Sequence, residues 1–132
     1  RALDESLQYS QQRTQFGEKI VRNQAISFYL ADMVTEIEAA RLLIRNAAFN
    51  LDTGGQSSAM WCAMAKRFST DVAFNVCNKA LQMHGGYGYL RDYPVERILR
   101  DLRVHQILEG TNEVMRLIIA RRILADSDRQ IL

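Results

Sequence analysis

The sequence predicts an all-α fold, an up-and-down four-helix bundle with short additional helices. Apolar residues recur at three- and four-residue intervals through most of the chain, the spacing of amphipathic helices. There is a single proline, Pro94, and strand signals are few. Two long periodic segments are joined only by the short polar turn 52–56, so antiparallel packing is the economical arrangement.

Residues 2–12 read as a short helix, followed by a break over 14–18 that contains Gly17. A long helix follows over about 20–51, with the stripe Ile26, Leu30, Met33, Ile37, Ala40, Ile44, Ala47 and Leu51. Gly54 and Gly55 end it, because glycine accepts the left-handed conformation of a helix stop. Ser57 or Ser58 caps a third helix that runs to about Met83 and stops at Gly85 and Gly86. Its stripe is Trp61, Met64, Ala65, Phe68, Val72, Val76, Ala80 and Met83. Pro94 suits the first turn of a helix ending near Leu108, a position that needs no amide proton. The last helix starts at Thr111 or Asn112. Glu113 in its first turn and Arg121 and Arg122 in its last both suit the helix dipole.

The 132 residues fit one domain with one core, and 48% hydrophobic with 24% charged residues is an ordinary globular balance. A net charge of +2 is too small to argue for nucleic acid or an anionic membrane. The arginines of the C-terminal third are interleaved with Asp92, Glu96, Asp101, Glu109 and Glu113. No apolar run is long enough to span a bilayer. Cys62 and Cys77 have no metal-type spacing and read as reduced core thiols. His84 and His105 lack partners at metal-ligand spacing, so no metal site is expected.

Two joints could carry chemistry. Glu109-Gly110-Thr111 interrupts two helical runs, and an acid on such a break can face a cavity while the helices hold it still. General base catalysis needs that placement in a site that excludes water. The plainer reading is a surface acid before a helix cap. Gln82-Met83-His84-Gly85-Gly86-Tyr87-Gly88-Tyr89 is the second joint. Its glycines can present amides to a ligand, or can simply stop a helix. Arg13, ahead of Phe16-Gly17, suits bidentate phosphate recognition or reads as a solvated arginine before a turn. Gln24 can hydrogen-bond a nucleotide or face water.

Taken together and in order, these segments resemble the acyl-CoA dehydrogenase family. The resemblance rests on Arg13-Thr14-Gln15-Phe16-Gly17, Gln24, the Gln82–Tyr89 joint, Arg100-Asp101, Ile107-Leu108-Glu109-Gly110-Thr111-Asn112-Glu113 and Arg116. It covers essentially the whole chain, corresponds to that family's C-terminal helical domain, and is nearest the short- and branched-chain members. The resemblance implies FAD as cofactor and an acyl-CoA thioester as substrate, oxidised to the 2,3-enoyl-CoA. It implies that Glu109 removes the proton beside the thioester while a hydride passes from the neighbouring carbon to flavin N5. Some members carry the base on another helix, but this chain has the acid at position 109.

The resemblance further implies that Arg13, Thr14 and Gln15 contact the FAD of a neighbouring subunit. Asn23, Gln24, Gln82, Met83, His84, Gly85, Gly86, Thr111, Asn112 and Glu113 are also implied as cofactor contacts. Gly110 and Arg121 are implied as substrate contacts, and the Glu109 amide as a donor to the thioester carbonyl. A homo-oligomer, dimer or tetramer, is implied, with an electron-transferring flavoprotein as electron acceptor. The implied location is bacterial cytoplasm or mitochondrial matrix, according to the organism. Family members also carry an N-terminal helical domain and a central β-domain, which are absent from residues 1–132. The chain by itself is therefore expected to bind FAD poorly and to be inactive. Two other readings stay open: an acyl-CoA oxidase-like flavoprotein that reacts with oxygen, and a helical assembly domain without catalysis.

Overall fold

The computed structural model describes residues 1–125. Five helices follow in order: α1 (Ala2–Gln12), α2 (Gln24–Asp52), α3 (Ser58–His84), α4 (Val95–His105) and α5 (Asn112–Ala125). The fold is all-α, as the periodicity requires. Lys79, late in α3, pairs with Glu36 at 3.2 Å and Asp32 at 3.7 Å, both early in α2. The two long helices therefore run antiparallel. α3 is the axis of the domain, since α1, α2, α4 and α5 all pack on it.

The core gathers Met33 and Ala40 of α2, Val72, Val76, Cys77, Ala80 and Met83 of α3, and Val95 of α4. Met33, Ala80 and Val95 are wholly buried. The expected α2 stripe is only partly covered, however: Ile44 and Leu51 are 47% and 60% exposed. The cause is length. α2 is 29 residues long, and among the described residues α3 is its main neighbour, with the shorter α1 meeting it less. Cys77 is buried, whereas Cys62 is only half-buried and sits outside the core.

The expected break at 14–18 is a small antiparallel hairpin. Strands β1 (Thr14–Gln15) and β2 (Glu18–Lys19) pair Thr14 with Lys19 and Gln15 with Glu18. Phe16 and Gly17 form the two-residue turn at φ +52° and +86°, the positive values that tight hairpins need. A 3-10 turn (Ile20–Arg22) follows, so α2 starts later than residue 20. Its start is set by Asn23, whose side-chain oxygen accepts from the Ala25 amide at 2.9 Å. α4 likewise stops at His105, before Leu108.

Candidate functional site

The C-terminal end of α3 opens into a cleft of about 820 Å³. Gly85 ends the helix at φ +58°, and a second 3-10 turn (Gly85–Tyr89) carries the chain away. Gly88 holds this corner closed. A Cβ there would lie 2.8 Å from the Leu81 carbonyl oxygen, closer than real contacts allow. Gly86, by contrast, faces open space, so its backbone is approachable by a ligand.

Aromatic rings brace the corner from α1. Tyr9 stacks on His84, its hydroxyl donates to the His84 carbonyl at 3.3 Å, and Tyr93 meets both rings edge-on. Burial pushes the Tyr9 hydroxyl pKa up, an effect the nearby Arg13 partly opposes. His84 is 2% exposed, and its Nδ1 lies 2.8 Å from the Ala80 carbonyl. A carbonyl only accepts, so Nδ1 carries a proton and donates to it. That Nε2 is buried and has no protein partner.

The cleft brings together Arg13, Gln15, Asn23, Met83, His84, Gly85 and Gly86. It also gathers Tyr87 of the second joint, and Tyr9, Lys19 and Arg22, which sequence reasoning missed. Arg13 sits over the Tyr87 ring, 5.0 Å from its centroid, an arrangement that orients the guanidinium. Arg13, Lys19 and Arg22 against Glu18 make the lining net positive, as an anionic group such as a phosphate requires. Thr14, Gln24 and Gln82 are exposed and lie outside the lining.

Glu109, Gly110, Thr111, Asn112, Glu113 and Arg121 lie outside that cleft. They belong to the α4–α5 corner and to α5, which pack on α3 through Lys66, Thr70 and Asp71. From Lys66 to His84 is about 27 Å along α3. Glu109 is an exposed residue at φ +55°, and Gly110 follows at φ +86°. A non-glycine residue held in the left-handed region costs on the order of 1–3 kcal/mol and clusters at functional sites.

Asn112 anchors this corner. It is 3% exposed, and its Nδ2 donates to Asp71 Oδ1 at 2.8 Å and Thr70 Oγ1 at 2.9 Å. Its Oδ1 accepts from Lys66 Nζ at 2.9 Å. The Asn112 side chain is thus committed within the protein. Thr111 precedes α5 and its hydroxyl accepts from the Val114 amide at 3.3 Å. The Glu113 carboxyl is held below its usual range by its own backbone N–H, then by the Thr111 hydroxyl. Arg121 is exposed on α5. Lys66, Thr70 and Asp71 lie off the apolar stripe of α3, and nothing in their local pattern marks them as partners of Asn112. Among the described residues, no cluster of His, Cys, Asp and Glu could hold a metal ion. No described helix is long and apolar enough to cross a membrane.

Residues 1–124 match the family model described as acyl-CoA dehydrogenase, C-terminal domain. The chain belongs to the acyl-CoA dehydrogenase family. Mitochondrial isobutyryl-CoA dehydrogenase of Bos taurus is 52% identical over 118 residues, covering 89% of this chain and 28% of that protein. Among solved structures, butyryl-CoA dehydrogenase from Megasphaera elsdenii superposes with a TM-score of 0.89 at 46% identity, over 93% of this chain and 32% of that one. A chain in the structure of the electron transferring flavoprotein of Acidaminococcus fermentans gives a TM-score of 0.90 at 48% identity, over 95% of this chain and 33% of that one. The chain thus spans about a third of the length of these family members.

Proposed function

We propose that this chain is the C-terminal domain of an FAD-dependent acyl-CoA dehydrogenase acting on short or branched acyl-CoA thioesters. Glu109 is its catalytic base. The observation that carries this reading is the backbone of Glu109, the one acid held in the left-handed region among the described residues. It is followed by a glycine that lets a substrate approach.

The cleft at the end of α3 fits a dinucleotide cofactor. Its three cations suit the charge of a pyrophosphate, Gly86 exposes backbone, and the buried Nε2 of His84 has no protein partner. When bound, FAD supplies the hydride acceptor. Arg13, held over Tyr87, and Lys19 and Arg22 bind its anionic portion. Gln15, Asn23, Gly85 and Gly86 line the rest. Met83 lines it too, Thr14, Gln24 and Gln82 flank it, and Thr111, Asn112 and Glu113 shape the second contact at the start of α5.

Glu109 takes the proton from the carbon beside the thioester. Its backbone amide donates to the thioester carbonyl, a bond that strengthens as negative charge develops on that oxygen. Gly110 and Arg121 contact the substrate. Along α3 the base and the cationic cleft are about 27 Å apart, which supports a site shared between copies, with the cleft of one copy meeting the cofactor of another. Phe28, Leu42 and Phe49 are 58%, 63% and 66% exposed, apolar area of the kind that assembly covers. An electron-transferring flavoprotein is the proposed acceptor of the electrons.

The test uses the full-length flavoprotein, mixed anaerobically with isobutyryl-CoA or butyryl-CoA. Glu109→Gln retains FAD and abolishes reduction of the flavin, a loss of at least about 10³-fold. Near-normal reduction by that variant overturns the assignment. Arg13→Ala loses FAD on dialysis while the wild type keeps it. The 132-residue chain alone shows negligible turnover.

A further inference from the structure

The geometry points to Lys66 as a positioning residue for Glu109, one that sets the backbone of the base without touching the substrate. The inference rests on the reading of Glu109 as the base. Lys66 lies on α3, 44 residues before Gly110 in sequence, yet its Nζ donates to the Gly110 carbonyl at 2.7 Å and to Asn112 Oδ1 at 2.9 Å. It makes no ion pair among the described residues. The neighbouring carboxylate, Asp71, faces Arg67 at 3.5 Å and Arg116 at 3.8 Å instead. The ammonium group is spent on two neutral acceptors, so its contribution is directional and does not neutralise an acid.

Those two acceptors bracket the turn that matters. Glu109 and Gly110 are consecutive left-handed residues, a conformation with no helical hydrogen bond to sustain it. On the far side, the Asn112 amide donates to the Gln106 carbonyl at 3.0 Å, and Gln106 Nε2 donates to Asp71 Oδ1 at 2.8 Å. Residues 106 and 112 are thereby fixed to each other and to α3. Between them, Lys66 fixes the plane of the Gly110–Thr111 peptide. Rotation of that peptide would swing Glu109, because the left-handed pair transmits the rotation directly to the preceding Cα. A carboxylate displaced by about 1 Å loses on the order of 10²-fold in rate.

The test uses the full-length flavoprotein with FAD bound, reduced anaerobically by isobutyryl-CoA. Lys66→Met is expected to reduce its flavin about 30- to 100-fold more slowly. Substrate KM and FAD content per subunit stay within about twofold of wild type, because the loss falls on the chemical step. Lys66→Arg, which keeps donors in reach of both acceptors, recovers the rate to within about fivefold. Should Lys66→Met fail to fold, Lys66→Gln takes its place in the same comparison. The proposal is overturned by a wild-type rate in the Met or Gln variant. It is also overturned by a loss that merely follows lost FAD, or by an Arg variant as slow as the Met one. A wild-type rate in Lys66→Met beside an inactive Glu109→Gln removes Lys66 alone. An active Glu109→Gln removes the base assignment itself.

Discussion

Tyr9 and His84 stack with ring centroids 4.3 Å apart and 22° between their planes, although 75 residues separate them in sequence. This contact ties the first helix to the corner where the third one ends, and so braces one wall of the cationic cleft. Tyr9→Phe keeps the stack and loses the hydroxyl bond to the His84 carbonyl, costing about 0.5–1 kcal/mol. Tyr9→Leu also loses the stack, worth a further ~0.5–1.5 kcal/mol. Urea unfolding of the two variants checks the ordering, and equal midpoints would remove the stack from the account.

The left-handed pair at the α4–α5 corner predicts opposite signs for two neighbouring substitutions. Gly110→Ala forces a Cβ onto φ +86° and within 2.8 Å of the Met115 methyl. The methyl is the flexible end of its side chain and can give, so most of the cost is backbone strain, about 1–2 kcal/mol. Glu109→Gly relieves the strain at φ +55° and stabilises by about 0.5–1 kcal/mol, while activity is lost. Thermal melts of both variants decide this, and a destabilised Glu109→Gly contradicts it.

Asn112→Ala strips partners from Lys66, Thr70 and Asp71 together. A buried network left half-satisfied costs about 2–3 kcal/mol. Equilibrium unfolding should show a lower midpoint with an unchanged denaturant slope. A loss under about 0.5 kcal/mol would mean that water replaces the side chain freely.

The two cysteines should differ in reactivity. Burial pushes the Cys77 thiol up to about 11 from an ordinary 9.0. At pH 8 only about one Cys77 in a thousand is thiolate, and the side chain is 3% exposed. Iodoacetamide should therefore modify the half-buried Cys62 first, with Cys77 reacting only as the domain unfolds. Because the folded value is raised, the associated stability is complete below pH 9 and is lost as pH rises through about 11. Mass spectrometry of tryptic peptides reads out the order, and equal labelling of the two contradicts the burial.

Glu113 has the opposite sign. Its folded pKa lies below the ordinary 4.5, through its own backbone N–H and then the Thr111 hydroxyl. Its contribution is present above about pH 4.5 and is lost as pH falls through the lowered value. Glu113→Gln should therefore flatten the acid limb of a stability–pH curve. Identical curves for variant and wild type between pH 5 and pH 3 would exclude the carboxylate from helix capping.

The two long helices were legible because apolar residues recur at helical spacing along them, and part of each stripe is buried. The core positions Met33, Val72, Val76, Ala80 and Met83 follow from it. Ile44 and Leu51 did not, because pattern shows which face is apolar and not whether a neighbour reaches that far. The hairpin at Thr14–Lys19 was hidden for a related reason. Phe16 is not a residue that advertises positive φ, and only the paired strands hold it there.

By itself the sequence determined the helical class, the two glycine-bearing joints, the acid at 109 and the family to which the whole arrangement belongs. These are local properties, written in residue type and spacing. Only the tertiary structure decided that the joints lie about 27 Å apart along α3, that Asn112 is spent inside the protein, and that Lys66 reaches Gly110. Such contacts join residues dozens of positions apart, and no local pattern encodes which distant side chain a packed helix will bring within 3 Å of a carbonyl.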